Sequence, residues 1–407
     1  MEKTIFGQNI KKLRKKCGFT QTALAERLNV SDKAVSKWES GSGYPDIELL
    51  PALSEILGVS VDFLLKGNPR GIAIAGNILV DVLNSIDEYP KPSMLASVIA
   101  TEKAVGGCVP NTIIDLAKLD RNLPLEAYGM VGNDENGRFV LSQMKNHGID
   151  ISNVKISDTL PTGFTNVMFD LSSRERTFFY TKGTNGSFDI TDIDVDALDC
   201  EFFHIGYAFL LDALDAPDAQ DGTKLAKLLR MVKERGIKTS LDAISSDRPD
   251  YAEKLKPALK YCDYTIMNEI ESSFVSGLSP RKEDGSLHID NIKKTLALFM
   301  ACGVKEKAII HCKEAGFLMN ADGEFIVVPS LDVPKEYIKG NVGAGDAFAA
   351  GCLYGLYRGF DDKKLLEFAS CASVANLSEA DSVSGMKPKK EVEKIETMFP
   401  RRSLSYT

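Results

Sequence analysis

The chain has no Cys-x-x-Cys pair. Its eight cysteines stand at 17, 108, 200, 262, 302, 312, 352 and 371, too scattered for a cysteine zinc site. The four histidines are isolated, so zinc spacings built on histidine are absent as well. Reduced, buried thiols in a cytoplasmic protein are the expectation. No apolar run is long enough to cross a bilayer. The charged start (Glu2, Lys3, Lys11, Lys12) lacks the apolar core of a signal peptide. No internal repeat or low-complexity segment occurs, and no membrane partner is expected.

What is present is ordinary globular composition, 44% apolar and 26% charged over 407 residues. That length allows two or three domains. The net charge of −8 hides an asymmetry. Residues 1–66 hold ten Lys/Arg against eight Asp/Glu, a net of +2, and the remainder holds 39 against 49. A mildly basic head on an acidic body is compatible with nucleic acid binding by the head alone.

The head reads as short helices. The first spans about Phe6 to Lys16, with Ile10 and Leu13 inward and Lys11, Lys12, Arg14 and Lys15 outward. Gly18 breaks it. Thr20 caps a second helix, Gln21 to Leu28, and Ser31 caps a third, Asp32 to Ser40. Ala34, Val35 and Trp38 form the inward face of the third, which makes Trp38 a core residue. A fourth helix covers Ile47 to Leu57. Two short helices about a tight turn make a helix-turn-helix unit.

The run Thr20-Gln21-x3-Ala25-x5-Ser31-x3-Val35-Ser36-Lys37-Trp38-Glu39-x-Gly41, with Leu53-x3-Leu57-Gly58-Val59-Ser60-Val61-Asp62-Phe63-Leu64, resembles the phage-repressor (Cro/C1, XRE-type) DNA-binding domain. The resemblance implies that the third helix enters the major groove of double-stranded DNA. Asp32, Lys33, Ser36 and Lys37 would then face base edges, and Gln21 would hold phosphate. Asp32 suits a cap or a cytosine acceptor. Such heads act as dimers on two half-sites. The expected domains are 1–66 (helix-turn-helix), a linker at 67–70, and a body at 71–400.

The body alternates apolar runs with amphipathic stretches, which implies a mostly parallel sheet covered on both faces by helices. Strands are expected at Ile72–Ala75, Ala127–Val131, Phe202–Ile205, Thr239–Asp242, Tyr264–Met267 and Lys307–His311. Ligands of such sheets bind beyond the carboxyl ends of the strands. The polar residues there are Asn77 and Asp81, Asp242, and Asn268 with Glu269 and Glu271. Gly106-Gly107-x3-Asn111 adds a glycine pair before a helix.

Gly343-Ala344-Gly345-Asp346 opens an Ala/Gly-rich helix. Free N–H groups at a helix start can hold an anion. An anion hole beside a carboxylate base suits phosphoryl transfer to a hydroxyl. A Gly-rich turn capped by an Asp is the plainer reading.

Taken in order, Asn77 and Asp81, Gly106-Gly107-x3-Asn111, Gly129-x-Val131-Gly132-x-Asp134-x2-Gly137, Asn268-Glu269-x-Glu271 and Gly343-Ala344-Gly345-Asp346 resemble the ribokinase-like (PfkB) carbohydrate kinase family. The resemblance implies an α/β ribokinase-like domain with a small β lid, drawn from Thr162–Thr181 and part of 79–104. It implies ATP and Mg2+ as cofactors and a sugar as substrate. Asp346 would be the base, with Gly343, Ala344 and Gly345 as the anion hole. Asn77, Asp81, Gly107 and Asn111 would bind the sugar. Asn268 and Glu271 would hold magnesium with the phosphates, and Asn376 would lie beside the adenine. The aromatic lid face would suit a homodimer contact.

The sequence departs from the family in two places. Gly340-Asn341-Val342 stands where members usually carry Asp-Thr-Thr, and Lys313 stands where a Gly is usual. His311 reads as a strand-end residue. Two functions follow: a sugar kinase carrying a DNA-binding head, or a transcription regulator whose kinase-like body only senses a sugar or its phosphate. Retention of Asp346, Asn268 and Glu271 favours the kinase.

Overall fold

A computed structural model describes residues 3–59, 61–66, 70–173 and 175–404. The chain divides into two compact units, Met1–Arg70 and Gly71–Thr407. Residues 67–69 of the expected linker lie outside the described residues.

The first unit is helical: α1 Lys3–Lys16, α2 Gln21–Leu28, α3 Asp32–Glu39, α4 Leu50–Leu57 and α5 Val61–Lys66. Thr20 Oγ1 accepts from Ala23 N–H at 3.0 Å and Ser31 Oγ from Ala34 N–H at 3.2 Å, so both caps form where the sequence puts them. Phe6, Ile10, Leu24, Val35, Trp38 and Leu53 share one core, while Ala34 is only half-buried. Two expectations change. The fourth helix begins as a 3-10 turn at Ile47–Leu49 and becomes α-helical only at Leu50, because Pro51 has no N–H to give and fits the first turn. Arg14, expected to point outward, is buried against Glu39, with Nε 2.5 Å from Oε1 and a second bond of 3.0 Å. A charged residue in an amphipathic pattern turns inward when a partner carboxylate waits there.

The second unit opens with β1 Gly71–Gly76, buried throughout. Ile72 and Ile74 enter one core and Ala73 and Ala75 the other, the period-two alternation of a strand covered on both faces. Then follow β2 Leu79–Ile86, β3 Val98–Gly106, α6 Cys108–Leu119, β4 Leu125–Gly132, α7 Glu135–Asn146, β5 Val154–Ser157, β6 Gly163–Asp170, β7 Arg176–Thr181 and β8 Cys200–Ala208. A two-residue hairpin, β9 Pro217–Asp218 and β10 Gly222–Thr223, leads to α8 Lys224–Glu234 and β11 Lys238–Ala243. The chain continues through α9 Tyr251–Leu259, β12 Tyr264–Asn268, α10 Glu269–Ser276, α11 Ile289–Ala301, β13 Lys307–His311, β14 Ala315–Asn320 and β15 Phe325–Pro329. It closes with α12 Ala344–Tyr357, α13 Asp362–Asn376 and α14 Lys389–Met398.

The main sheet has the order β15-β14-β13-β12-β11-β8-β1-β4-β5. It is parallel from β5 to β13, and β14 and β15 turn back antiparallel at one edge. A separate sheet, β3-β2-β6-β7, is the small β lid. Asp81, expected just after the first strand, sits within β2 opposite Thr165 of β6. The body does not stop at 400: Leu331 bridges Arg401, and Arg402 N–H donates to Ser330 O at 2.9 Å. No helix among the described residues is long and apolar enough to cross a membrane.

Candidate active site

The carboxyl ends of β1, β8, β11 and β12 and the start of α12 meet at one place. Gly343 precedes α12 with φ +76°, and a Cβ there would lie 2.6 Å from Ser382 O. Glycine is therefore required by both backbone conformation and space. The first N–H groups of α12 lie in this turn, that of Ala344 in a long bond of 3.4 Å to Asn341 O, and Asp346 follows within the same turn.

Asp346 is almost fully buried. Asn111 Nδ2 donates to its Oδ2 at 2.9 Å, and the Tyr207 hydroxyl lies 3.0 Å from each carboxylate oxygen. Burial pushes its pKa up to about 7; Asn111 and Tyr207 pull downward and the Asp81 charge adds to the rise. Glu271 is likewise pushed up to about 7 by burial, and Asp242 is raised by burial and then by the charges of Glu271 and Asp346. Asp81 is pushed up to about 6 by burial, opposed by the Thr165 hydroxyl.

Two cavities open here. One of about 260 Å3 is lined by Tyr207, Asp242, Ser245, Glu271 and Asp346, among others. A larger one of about 660 Å3 is lined by Lys313, Asn341, Ala344, Phe348, Val374 and Arg402, among others. Asn268, His311 and Gly345 border both. His311 stacks on Phe348 at 4.6 Å, and burial holds its pKa down at about 4, so it is neutral. Lys313 lies 3.6 Å from Glu314 and stays largely exposed.

Several expected ligands are committed to other atoms. Asn77 is fully buried, and its Oδ1 accepts Cys108 N–H at 2.9 Å. It thus caps α6 from the connection between β1 and β2, since the residue before α6 is Gly107, at φ +89°, with no side chain to do so. A Cβ on Gly107 would meet Asn77 O at 2.8 Å. Asn111 holds Asp346 through its amide, and its Oδ1 accepts the Ser382 hydroxyl at 2.8 Å. Asn376 is fully buried and does not line the larger cavity. Its amide donates to Val342 O at 2.7 Å and anchors the segment before the glycines instead.

Asn268 and Glu271 form a capping box on α10. Asn268 Oδ1 accepts from the N–H groups of Ile270 and Glu271, both at 2.9 Å, and Glu271 Oε2 accepts Asn268 N–H at 2.8 Å. No group of three or more metal-ligating side chains is arranged around one point among the described residues. Yet Asp242, Glu271 and Asp346 line one cavity; the Asp346 charge raises the pKa of both others, and Glu271 raises that of Asp242. That donor set fits magnesium, which keeps most of its water and takes one or two carboxylates with substrate phosphates.

The sequence singled out Asp242 at a strand end but gave it no role. It missed Tyr207, whose φ of +61° falls where β8 and β11 lose register between Leu241 and Ala243. The irregularity aims its side chain at Asp346. The signal was available: Tyr207 stands two residues past the apolar run Phe202–Ile205.

In the first unit Asp32, Lys33, Ser36 and Lys37 are all exposed on α3. Gln21 instead donates its amide to Glu39 Oε2 at 2.8 Å, joining the Arg14 pair.

A buried carboxylate at a helix start, beside an acidic cavity and a nucleotide-sized one on a lidded α/β sheet, is the constellation of a sugar kinase. The family model of pfkB family carbohydrate kinases matches residues 72–389, and the chain belongs to that family. A helix-turn-helix model matches residues 10–64. The 5-dehydro-2-deoxygluconokinase of Clostridium perfringens is 28% identical over 310 residues, covering 75% of this chain and 86% of that protein. The HTH-type transcriptional activator BcrR of Enterococcus faecalis is 47% identical over 62 residues, covering 15% of this chain and 30% of that protein. The ribokinase of Arabidopsis thaliana, solved with ribose and ATP, superposes with TM-score 0.67 at 20% identity, covering 80% of this chain and 98% of that one.

Proposed function

We propose that the body transfers the γ-phosphoryl group of ATP to a hydroxyl of a sugar or sugar acid of the 5-dehydro-2-deoxygluconate type, and that the head couples this chemistry to DNA. The observation that carries the reading is Asp346, buried at the start of α12 with a pKa pushed up to about 7. A base of that strength can accept a hydroxyl proton near neutral pH. The amides around Ala344 and Gly345 stabilise the charge on the transferring group. Asn111 and Tyr207 hold Asp346 in place, and Asp81 and Gly107 border the sugar. ATP occupies the larger cavity. Asn268 and Glu271, already bonded to each other in the α10 cap, would hold magnesium through its water shell, and the ion would neutralise charge at the phosphates. Residues 1–66 bind double-stranded DNA through α3, with Lys33, Ser36 and Lys37 at base edges and Asp32 at its start. The lid, with exposed Phe178, Phe179 and Tyr180, serves as a homodimer contact.

The test is ADP release against a panel of sugars that includes 5-dehydro-2-deoxygluconate, for wild type and Asp346→Asn. Turnover in the wild type and its loss in the variant is the expected result. The altered Gly340-Asn341-Val342 segment favours a second reading, a non-catalytic sugar sensor. Absence of turnover on every sugar, with sugar-dependent DNA binding intact, would establish that reading instead.

A further inference from the structure

A third cavity, of about 590 Å3, shares no lining residue with the two at the strand ends. Lys118, Arg121, His147 and Lys387 line it, and no Asp or Glu does. Arg121 and Lys387 form no ion pair among the described residues. Burial disfavours the charged form of Lys118, Asp115 and Asp381 favour it from outside the cavity lining, and the Lys387 charge opposes it from across the space. The start of α14 lies at the rim, since Lys387 and Pro388 line the cavity and α14 begins at Lys389. Like-charged groups gathered around a void are stabilised by an anion that neutralises them.

The same wall is bonded to the catalytic carboxylate. Lys118 Nζ donates to Val383 O at 2.7 Å. The neighbouring Ser382 hydroxyl shares its one proton between Asn111 Oδ1 at 2.8 Å and Val105 O at 3.0 Å. Asn111 in turn holds Asp346. Lys118 and Asn111 stand at opposite ends of α6, and Ser382 also packs against Gly343. An anion that draws the Lys118 ammonium away from Val383 loosens the segment that backs both Asp346 and the anion hole.

We propose that this basic cavity binds a small phosphate-bearing anion, and that its occupancy adjusts turnover through Lys118, Val383, Ser382 and Asn111. The ligand chemistry is a phosphate dianion, free or carried on a sugar.

Calorimetric titration of the full chain with inorganic phosphate and, separately, with ribose 5-phosphate tests this at low salt. Arg121→Ala/Lys387→Ala is expected to bind at least tenfold more weakly than wild type. Asn146→Asp, which keeps every cation but adds a negative charge to the wall, is expected to weaken binding severalfold. Any binding at the catalytic cavities is common to all three proteins, so the difference reports this cavity. Equal affinity for the two probes assigns the phosphate group alone, and tighter ribose 5-phosphate assigns a sugar phosphate. Unchanged binding in both variants, or no binding of either probe to wild type, overturns the site. The probes are also expected to change wild-type kcat at least twofold and to leave kcat of the double variant flat. Binding without that change overturns the coupling. The binding arm needs no turnover, so its outcome is separate from that of the kinase reading.

Discussion

Asp346 is charged at a cost. Its pKa lies near 7 in the folded chain against an ordinary value of 3.8. Below about pH 4 both folded and unfolded chains hold the proton. Between pH 4 and 7 only the folded chain does, so the stability contributed by this group falls as pH rises through the folded pKa. A raised carboxylate pKa costs about 1.4 kcal/mol per pH unit once the group is ionised. Asp346→Asn is therefore expected to melt higher than wild type at pH 8 and level with it at pH 4, read by calorimetry. The same variant should lose at least about a thousandfold in kcat, because the base is gone. Tyr207 donates to the charged form and so holds the pKa down. Tyr207→Phe is expected to move the acid limb of the kcat/KM profile, set near pH 7 in wild type, to higher pH. An unmoved limb would mean that Tyr207 does not govern this proton.

At the scale of elements, the helix-turn-helix was the most legible part. Thr20 and Ser31 cap helices by local chemistry alone, and local chemistry is written in sequence. The parallel strands were legible for a related reason: strands covered on both faces read as continuous apolar runs. What could not be read was commitment at a distance. Asn111 was identified as a site residue, but its turn toward Asp346 depends on a contact across 235 positions. Asn376 was expected at the adenine, and only packing reveals that it serves Val342. Arg14 is the same case in the head. Its partner Glu39 is 25 residues away, and both side chains are more than nine-tenths buried. Removing one member of a buried pair leaves the other uncompensated and costs about 3 kcal/mol. Arg14→Met is expected to unfold the head early. Trp38 is the chain's one tryptophan and is buried in that core, so its fluorescence follows the head alone. Exposed α3 gives the complementary case. Lys33→Ala/Lys37→Ala is expected to weaken DNA binding at least tenfold in a mobility-shift assay while leaving the Trp38 transition and ADP release unchanged.

For the whole molecule, the open question is whether a DNA-binding unit and a kinase unit on one chain exchange free energy. Linkage makes the question quantitative. If bound sugar changes operator affinity by some factor, bound operator must change sugar affinity by the same factor, because both describe one coupling free energy. Typical couplings of about 1–3 kcal/mol correspond to factors of about 5 to 150, well within reach of titration. The equality is strict for binding but not for kcat, so Asp346→Asn is the form to use: it retains the site's shape while removing turnover. With ATP saturating throughout, the expectation is a shift in DNA affinity on adding sugar, matched by an equal shift in sugar affinity on adding operator DNA. Unequal factors would show that turnover or aggregation contaminates one titration. Two factors of one would make the units independent passengers of one chain. In that event the head would only hold a working kinase at the DNA, and the basic cavity would report to Asp346 alone.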